Sequence, residues 1–426
     1  MKLAKTVITA SALMFGAVAF GAGFQVQEQG ASNMGTAMAG AVTNANNDAS
    51  AAFNNASAFA FSNLEAGKSI ASVGMSLVVP TLGLSNDADG KNYPCAVKSF
   101  VPNFFFGHKF TEDLSAMLSV TAPFGLESDY EDNFIQAGAV PGVGLPGAGV
   151  QGMNSYLLTM DVNPTLVYKV TDWFSISGGV SAQYAYCRLT SAHPMAPTNE
   201  IKLSGQGWGV GGNIGFTVEY MEGGRFGFHW RSAVQQDLSG TARLAGNETG
   251  DIDASVKMPD TFTFGIYQRL PGWFDNFAVM ADYTYTRWST FDKLPVSGPG
   301  LLPIIGTSAM ATPENWKDTS RVSLGVHYYP EDFKKLILRA GVAFDESPVR
   351  DAINRTVRIP CSDRVWYSMG AGYQLADNIS VDLSYVYIMT VGNSDINRTE
   401  LNGMSNVKGH YYGHIHVISA QLNFTF

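Results

Sequence analysis

The chain has 426 residues, of which only 15% are charged and 12% aromatic, with 45 glycines and a formal charge of −9. That acidic balance excludes a nucleic-acid partner, because phosphate binding requires a basic surface. Sparse charge with abundant glycine and aromatics suits short strands whose outer face meets lipid, although a secreted β-sandwich shares part of this profile.

The first segment stands apart. Lys2 and Lys5 precede an apolar run from Val7 to Phe20, and small residues follow at Gly21, Ala22 and Gly23. A basic start, a short apolar core and a small-residue cleavage site describe a secretory signal peptide over 1–21, cut before Ala22. The run is shorter than the roughly 20 residues that a spanning helix needs. Residues 22–61 are rich in Ala, Asn, Gly and Ser and show no sustained period. Phe24, Met34, Met38, Phe53, Phe59 and Phe61 nevertheless give this stretch apolar surface to bury, and small residues such as Gly35 and Gly40 let it pack closely. A plug, or hatch, inside a barrel explains that surface better than a flexible periplasmic tail.

From Lys68 onward the sequence alternates at period two, which places successive side chains on opposite faces of a strand. In Phe226–Arg231, one face carries Phe226, Phe228 and Trp230, and the other carries Gly227, His229 and Arg231. The alternation predicts fourteen strands, near 68–84, 98–110, 114–127, 156–170, 173–190, 203–221, 225–243, 252–269, 276–292, 316–329, 334–346, 363–375, 379–392 and 409–426. Turns of two to six residues alternate with connections of eight to 28 residues, the layout of periplasmic turns and extracellular loops. The expected fold is therefore all-β, a 14-stranded antiparallel transmembrane β-barrel over 62–426 with the plug 22–61 in its lumen. The closing alternation of Leu422, Phe424 and Phe426 is what outer-membrane proteins present to their assembly machinery. Outer-membrane lipid and lipopolysaccharide are the expected surroundings, and a monomer the expected state.

Strand three is interrupted by Pro123, Phe124 and Gly125. Proline removes a ladder donor and glycine marks a bulge, so the tripeptide either ends the strand or kinks it. Parity turns Arg231, Lys317, Arg321, His327, Arg339 and Arg364 toward the lumen, with Asp161, Glu219, Asp282, Asp345 and Asp382. An interior of both signs pairs most of its own charges, because unpaired buried charge is expensive. His410, His414 and His416 lack a nearby carboxylate or cysteine, so they fit interfacial or loop positions better than a metal site. Three cysteines, Cys95, Cys187 and Cys361, allow one disulfide in an exported protein but fix none. No catalytic constellation and no cofactor motif stands out, which argues against an enzyme.

Several short runs resemble the FadL-type transporters of long-chain fatty acids and related hydrophobic compounds. Ala22-Gly23-Phe24-Gln25 looks like the family's mature start, and Gly35, Ala37, Gly40 and Asp48-Ala49 fall where its plug has similar residues. Asn163-Pro164-Thr165, Tyr168-Lys169-Val170, Gly207-Trp208-Gly209 and Trp230-Arg231-Ser232 resemble its middle strands. Trp316-Lys317-Asp318, Arg321, Arg339-Ala340-Gly341, Phe344-Asp345-Glu346-Ser347-Pro348-Val349, Ile359-Pro360 and Asp363-Arg364 follow in family order and spacing. Two departures stand out: Asn54-Asn55-Ala56 replaces the plug's usual Asn-Pro-Ala, which frees the backbone there, and Cys361 replaces a polar or acidic residue.

The resemblance implies energy-independent passage of a hydrophobic molecule, foremost a long-chain fatty acid, through a plugged barrel with a lateral exit. It also implies an inward kink of strand three near Pro123-Phe124-Gly125, and release of the ligand by movement of the N-terminal residues around Phe24. Lys317 becomes the first candidate for the fatty-acid carboxylate and Arg188, near the outer end of strand five, the second. Uptake of aromatic or alkane hydrocarbons is the alternative. A non-selective porin conflicts with the plug, and an outer-membrane lipid enzyme would need catalytic residues that are not found.

Overall fold

The alternation resolves into fourteen barrel strands in a computed structural model describing residues 22–45, 48–138 and 147–426. The expected signal peptide, 1–21, lies outside the described residues. The strands are β1 Ser69–Asn86, β2 Ser99–Lys109, β3 Leu114–Thr121 resumed as Gly125–Asp129, β4 Asn154–Thr171, β5 Phe174–His193 and β6 Ala196–Met221. They continue as β7 Gly224–Arg231 with Val234–Leu244, β8 Asn247–Met258 with Thr261–Arg269, β9 Phe277–Thr286 and β10 Thr319–Tyr328. The last four are β11 Leu336–Asp345, β12 Asp363–Ala376, β13 Ile379–Val391 and β14 Ser405–Thr425. Each strand pairs antiparallel with the next, and β14 closes onto β1 from Ile70↔Thr425 to Asn86↔Gly409. Closure gives every strand two neighbours, so the sheet has no edge strand, the condition for it to stand in hydrocarbon.

Strand parity sorts the side chains as the alternation predicts. Val279, Leu324, Val342 and Ile418 are exposed on the outer face, whereas His229, Arg231, Asp282, Arg321, His327 and Arg339 are buried inside. The outer connections depart from expectation at two places. Loops were expected over 191–202 and 244–251, but β5 and β6 run on to a tight turn at Pro194–Met195, and β7 and β8 to one at Ala245–Gly246. The ladder continues through Thr190↔Lys202 and Ala192↔Glu200, where both faces are polar and hydropathy no longer reports the strand. Ala245 (φ 51°) and Gly246 (φ 82°) both take the left-handed conformation that a two-residue hairpin favours.

Inside the barrel, residues 22–45 and 48–62 include four short helical pieces, Ala31–Met34, Ala41–Thr43, Ala51–Asn54 and Ala56–Phe61, nearly all buried. The wall holds them by named bonds. Gly40 N donates to Asp282 Oδ1 (2.8 Å), Arg321 Nη2 to Ala37 O (2.7 Å), Arg231 Nη2 to Phe53 O (3.1 Å) and Gln421 Nε2 to Asp48 Oδ1 (2.8 Å). Gly40 has φ 78°, and a Cβ there would press on Met280; at Gly35 a Cβ would lie 3.2 Å from Gly370 Cα. Asn54 Nδ2 donates to Ser50 O within the plug. Asn55 replaces the family proline with hydrogen bonds: its Nδ2 donates to Val42 O (2.8 Å) and Thr217 Oγ1 (3.1 Å), and its Oδ1 accepts from Ser57. The backbone freed by losing proline is thus fixed from the side chain.

This packing sharpens what lumen substitutions should do. Val279→Arg puts a cation on the lipid face and should cost the folded barrel about 2–4 kcal/mol, read by heat-modifiable gel mobility after bilayer refolding. Gly341→Ser should leave the barrel folded but push out the plug, since a Cβ there meets the Thr36 backbone; limited proteolysis of residues 22–62 reads that. Equal barrel sensitivity at both positions would refute the assignment of faces.

Candidate functional site

The N-terminal segment enters a box of aromatic rings. Phe24 is 2% exposed, with its ring centroid 4.7 Å from Trp288, 5.2 Å from Phe291, 5.5 Å from Trp316 and 6.0 Å from Phe124. Edge-on packing of this kind adds to the burial of each ring. Gly23, at φ 64°, lets the chain pass close to Trp316, where a Cβ would lie 2.6 Å away.

The same segment grips the interrupted strand. Val26 N donates to Pro123 O and Gly125 N to Phe24 O, both at 2.9 Å, and Gln25 forms a bridge with Phe124. The β2–β3 ladder runs only from Lys109↔Ser115 to Phe104↔Val120. Beyond it, Pro123, Phe124 and Gly125 pair inward with the N-terminal segment, and Ser99–Asn103 of β2 keep only β1 as a ladder partner.

Beyond Phe24 opens a narrow space, partly continuous with solvent, lined by Leu126, Leu157, Leu203, Leu238, Val256 and Met258. Its ionisable lining residues, apart from Tyr156 and Cys187, are Arg358 and Glu314. A second space, under residues 299–305, shares Leu189, Leu203, Leu294, Val296, Glu314 and Arg358 with the first. The two adjoin at these residues and outline a narrow, largely apolar path that ends on the Phe24 ring.

The two cations expected to meet the ligand line neither of these spaces. Residues 314–318 precede β10, so strand parity does not govern them: Trp316 is buried and points inward, while Lys317 Nζ bonds Glu346 Oε1 at 2.5 Å and lines neither space. Arg188 donates from Nε to Asn154 Oδ1 (3.2 Å), lies over the Tyr156 ring at 5.3 Å, and lines a separate polar recess with Lys202, Asp129 and Asp132. Deeper lumen charges are paired with each other, Arg231 with Asp161 (3.0 Å), Arg339 with Asp382 (2.7 Å) and Arg364 with Asp345 (3.9 Å). Glu28 in the plug is different: it is fully buried, neither carboxylate oxygen has a hydrogen-bond partner among the described residues, and burial pushes it up to about 7.

The cysteines form no disulfide among the described residues. Cys361 Sγ instead accepts from Arg364 Nη2 (3.0 Å), Ser347 Oγ (3.2 Å) and Gly23 N (3.4 Å), tying the N-terminus to the chain ahead of β12. His414 and His416 pack at a tilt against Tyr387 on the outer face, and Tyr385 Oη lies 2.7 Å from His416 Nδ1. No cluster of metal-ligating side chains occurs among the described residues. Parity arguments missed Trp288, Trp316, Arg358 and Glu314 because none of the four lies in a strand whose period would orient it. Their only sequence signal was two tryptophans and two charges close to the barrel's outer rim.

The fold is thus a closed fourteen-stranded antiparallel barrel, filled by a helical N-terminal segment that ends beside an apolar space. The chain belongs to the outer membrane protein transport protein family (OMPP1/FadL/TodX), which matches residues 12–426 and is a family of transporters, not catalysts. Outer membrane protein P1 of Haemophilus influenzae is 30% identical over 325 residues, 68% of this chain; the match spans 66% of that relative, just under two thirds of its length. The long-chain fatty acid transport protein of Escherichia coli K12 is 25% identical over 443 residues, 90% of this chain and 92% of that one. A FadL homologue from Pseudomonas aeruginosa superposes with a TM-score of 0.80 at 20% identity, covering 95% of this chain and 99% of that chain. The toluene transporter TbuX of Ralstonia pickettii gives 0.65 at 19% identity, covering 93% and 98%. The two structural likenesses establish the shared fold.

Proposed function

We propose that this protein carries long-chain fatty acids across the outer membrane by energy-independent diffusion, with a lateral exit through the wall at Pro123-Phe124-Gly125. The observation that carries the reading is one shared contact: the segment whose Phe24 closes the apolar path is hydrogen-bonded to the tripeptide that interrupts β3. Movement of that segment would unblock the path and release the wall together. An elongated path suits an alkyl chain better than a single ring, and the Escherichia coli relative bears the name of a fatty-acid transporter. A locked variant tests this. Gln25→Cys combined with Phe124→Cys places two thiols at a bridge pair, and oxidation should stop uptake of labelled hexadecanoate until a reductant is added. Full uptake through the locked protein would sink the proposal.

A second reading, passage of monoaromatic hydrocarbons, draws on the box of four rings that accepts the Phe24 phenyl group. Mass spectrometry of ligand extracted with the purified barrel separates the two: fatty acid supports the first reading and aromatic hydrocarbon the second.

A further inference from the structure

Arg358 is an unusual charge for an apolar wall. Its Nη1 donates to Asn154 O (3.3 Å), Ser155 Oγ (3.2 Å) and Thr190 O (3.1 Å), which anchors the guanidinium on the tips of β4 and β5. Its stem packs over Gly152, where a Cβ would lie 2.9 Å from Arg358 Cγ. All three acceptors are neutral, and Arg358 forms no ion pair among the described residues. A half-buried cation held by neutral groups alone keeps its charge but lacks a counterion, and an apolar setting makes an arriving anion worth more than it is in water.

The carboxyls around it do not fill that role. Glu400 accepts from Arg398 Nε at 3.0 Å. Arg398 also donates to Ile353 O and Pro313 O. Glu314 is 3% exposed, lines the same path as Arg358, and its Oε2 has no hydrogen-bond partner among the described residues. Burial pushes Glu314 up to about 8. At neutral pH it therefore carries a proton, and a neutral carboxyl donates a hydrogen bond where a carboxylate only accepts.

We infer that Arg358 and Glu314 form the head-group site for an anionic amphipath, whose alkyl tail lies along the path toward Phe24. The guanidinium supplies the charge and the Glu314 hydroxyl a second donor, together matching the two oxygens of a carboxylate. The inference rests on the transport reading above and moves the charge recognition of that reading from Lys317 and Arg188 to Arg358. Lys317 is neutralised by Glu346, and Arg188 opens on a polar recess with no apolar run for a tail.

The test is binding of hexadecanoate and its methyl ester to detergent-purified wild type, Arg358→Met, Arg358→Lys, Glu314→Leu and Lys317→Met, each checked for heat-modifiable mobility. Loss of a charge-assisted hydrogen bond predicts an about tenfold to hundredfold weaker affinity of Arg358→Met for the acid, with the ester unchanged. Arg358→Lys should recover most of the acid binding, Glu314→Leu should lose part of it, and Lys317→Met should bind like wild type. If Arg358→Met does not fold, Glu314→Leu and Arg358→Lys carry the comparison. Equal loss of acid and ester in Arg358→Met would make Arg358 a packing residue and overturn the site alone. Unchanged acid binding in folded Arg358→Met, or loss only in Lys317→Met, would also overturn it. Wild type that binds neither probe would overturn the transport reading, and this site with it.

Discussion

Phe24→Ala should detach the N-terminal segment from the wall while leaving the barrel folded. The ring is 2% exposed and touches four aromatic neighbours, so its removal takes away a fully packed aromatic side chain. Such truncations cost about 3–5 kcal/mol. Here the cost falls on docking of residues 22–29, not on global stability, because the fourteen-strand ladder does not pass through Phe24. Local opening of a segment is read by amide exchange. The Val26 amide, bonded to Pro123 O, should lose more than about a hundredfold of its protection, whereas β14 amides keep theirs. Retention of hexadecanoate should fall in parallel, since Phe24 closes the apolar path. Phe24→Leu, which keeps most of the bulk, should lie between the two. A mutant with wild-type protection at Val26 would show that the other plug contacts hold the segment without the ring.

The barrel was legible in the sequence because lipid on one face and a plug on the other impose period two on almost every strand. Phe226–Arg231 and Leu336–Phe344 carry that pattern without a break, and both have the predicted faces. Legibility failed where the solvent pair changes. Above the membrane, at Thr190–Glu200 and Asn247–Asp251, both faces are polar, so the sequence reads as loop although the ladder persists. It failed again at the proposed site, whose parts come from chain outside the ladder: Phe24 from the plug, Trp288 after β9, Glu314 and Trp316 before β10, and Arg358 before β12. No local spacing links these residues. Lys317 illustrates the cost of extending parity two residues beyond a strand end: the chain there is held by bonds from Glu314 N to Asp292 O and from Lys317 N to Pro348 O, which set its direction instead.

The plug should dock more tightly in acid than at neutral pH, and Glu28 should be the cause. Its carboxyl is fully buried with both oxygens unpartnered among the described residues. Desolvation pushes it up to about 7 from 4.5, against the attraction of Arg364 on β12 and with the repulsion of Asp345 on β11; Arg321 on β10 is the third charge coupled to it. The sign follows from a raised carboxyl. Below about pH 4.5 the group is protonated whether the segment is docked or free, and docking has its full strength. Between about 4.5 and 7 the free segment ionises while the docked one stays neutral, so docking weakens. Above about 7 the docked group must ionise as well and the loss is complete. At about 1.4 kcal/mol per pH unit of difference, the whole window is worth about 3 kcal/mol. Protection factors at Val26, corrected for the intrinsic pH dependence of exchange, should therefore fall on the order of a hundredfold between pH 5 and pH 8. Glu28→Gln keeps the shape and removes the titration, so its protection should stay level across that window and exceed that of wild type at pH 8. A wild-type profile that is flat, or a Glu28→Gln profile with the same slope, would assign the plug's pH response to another group.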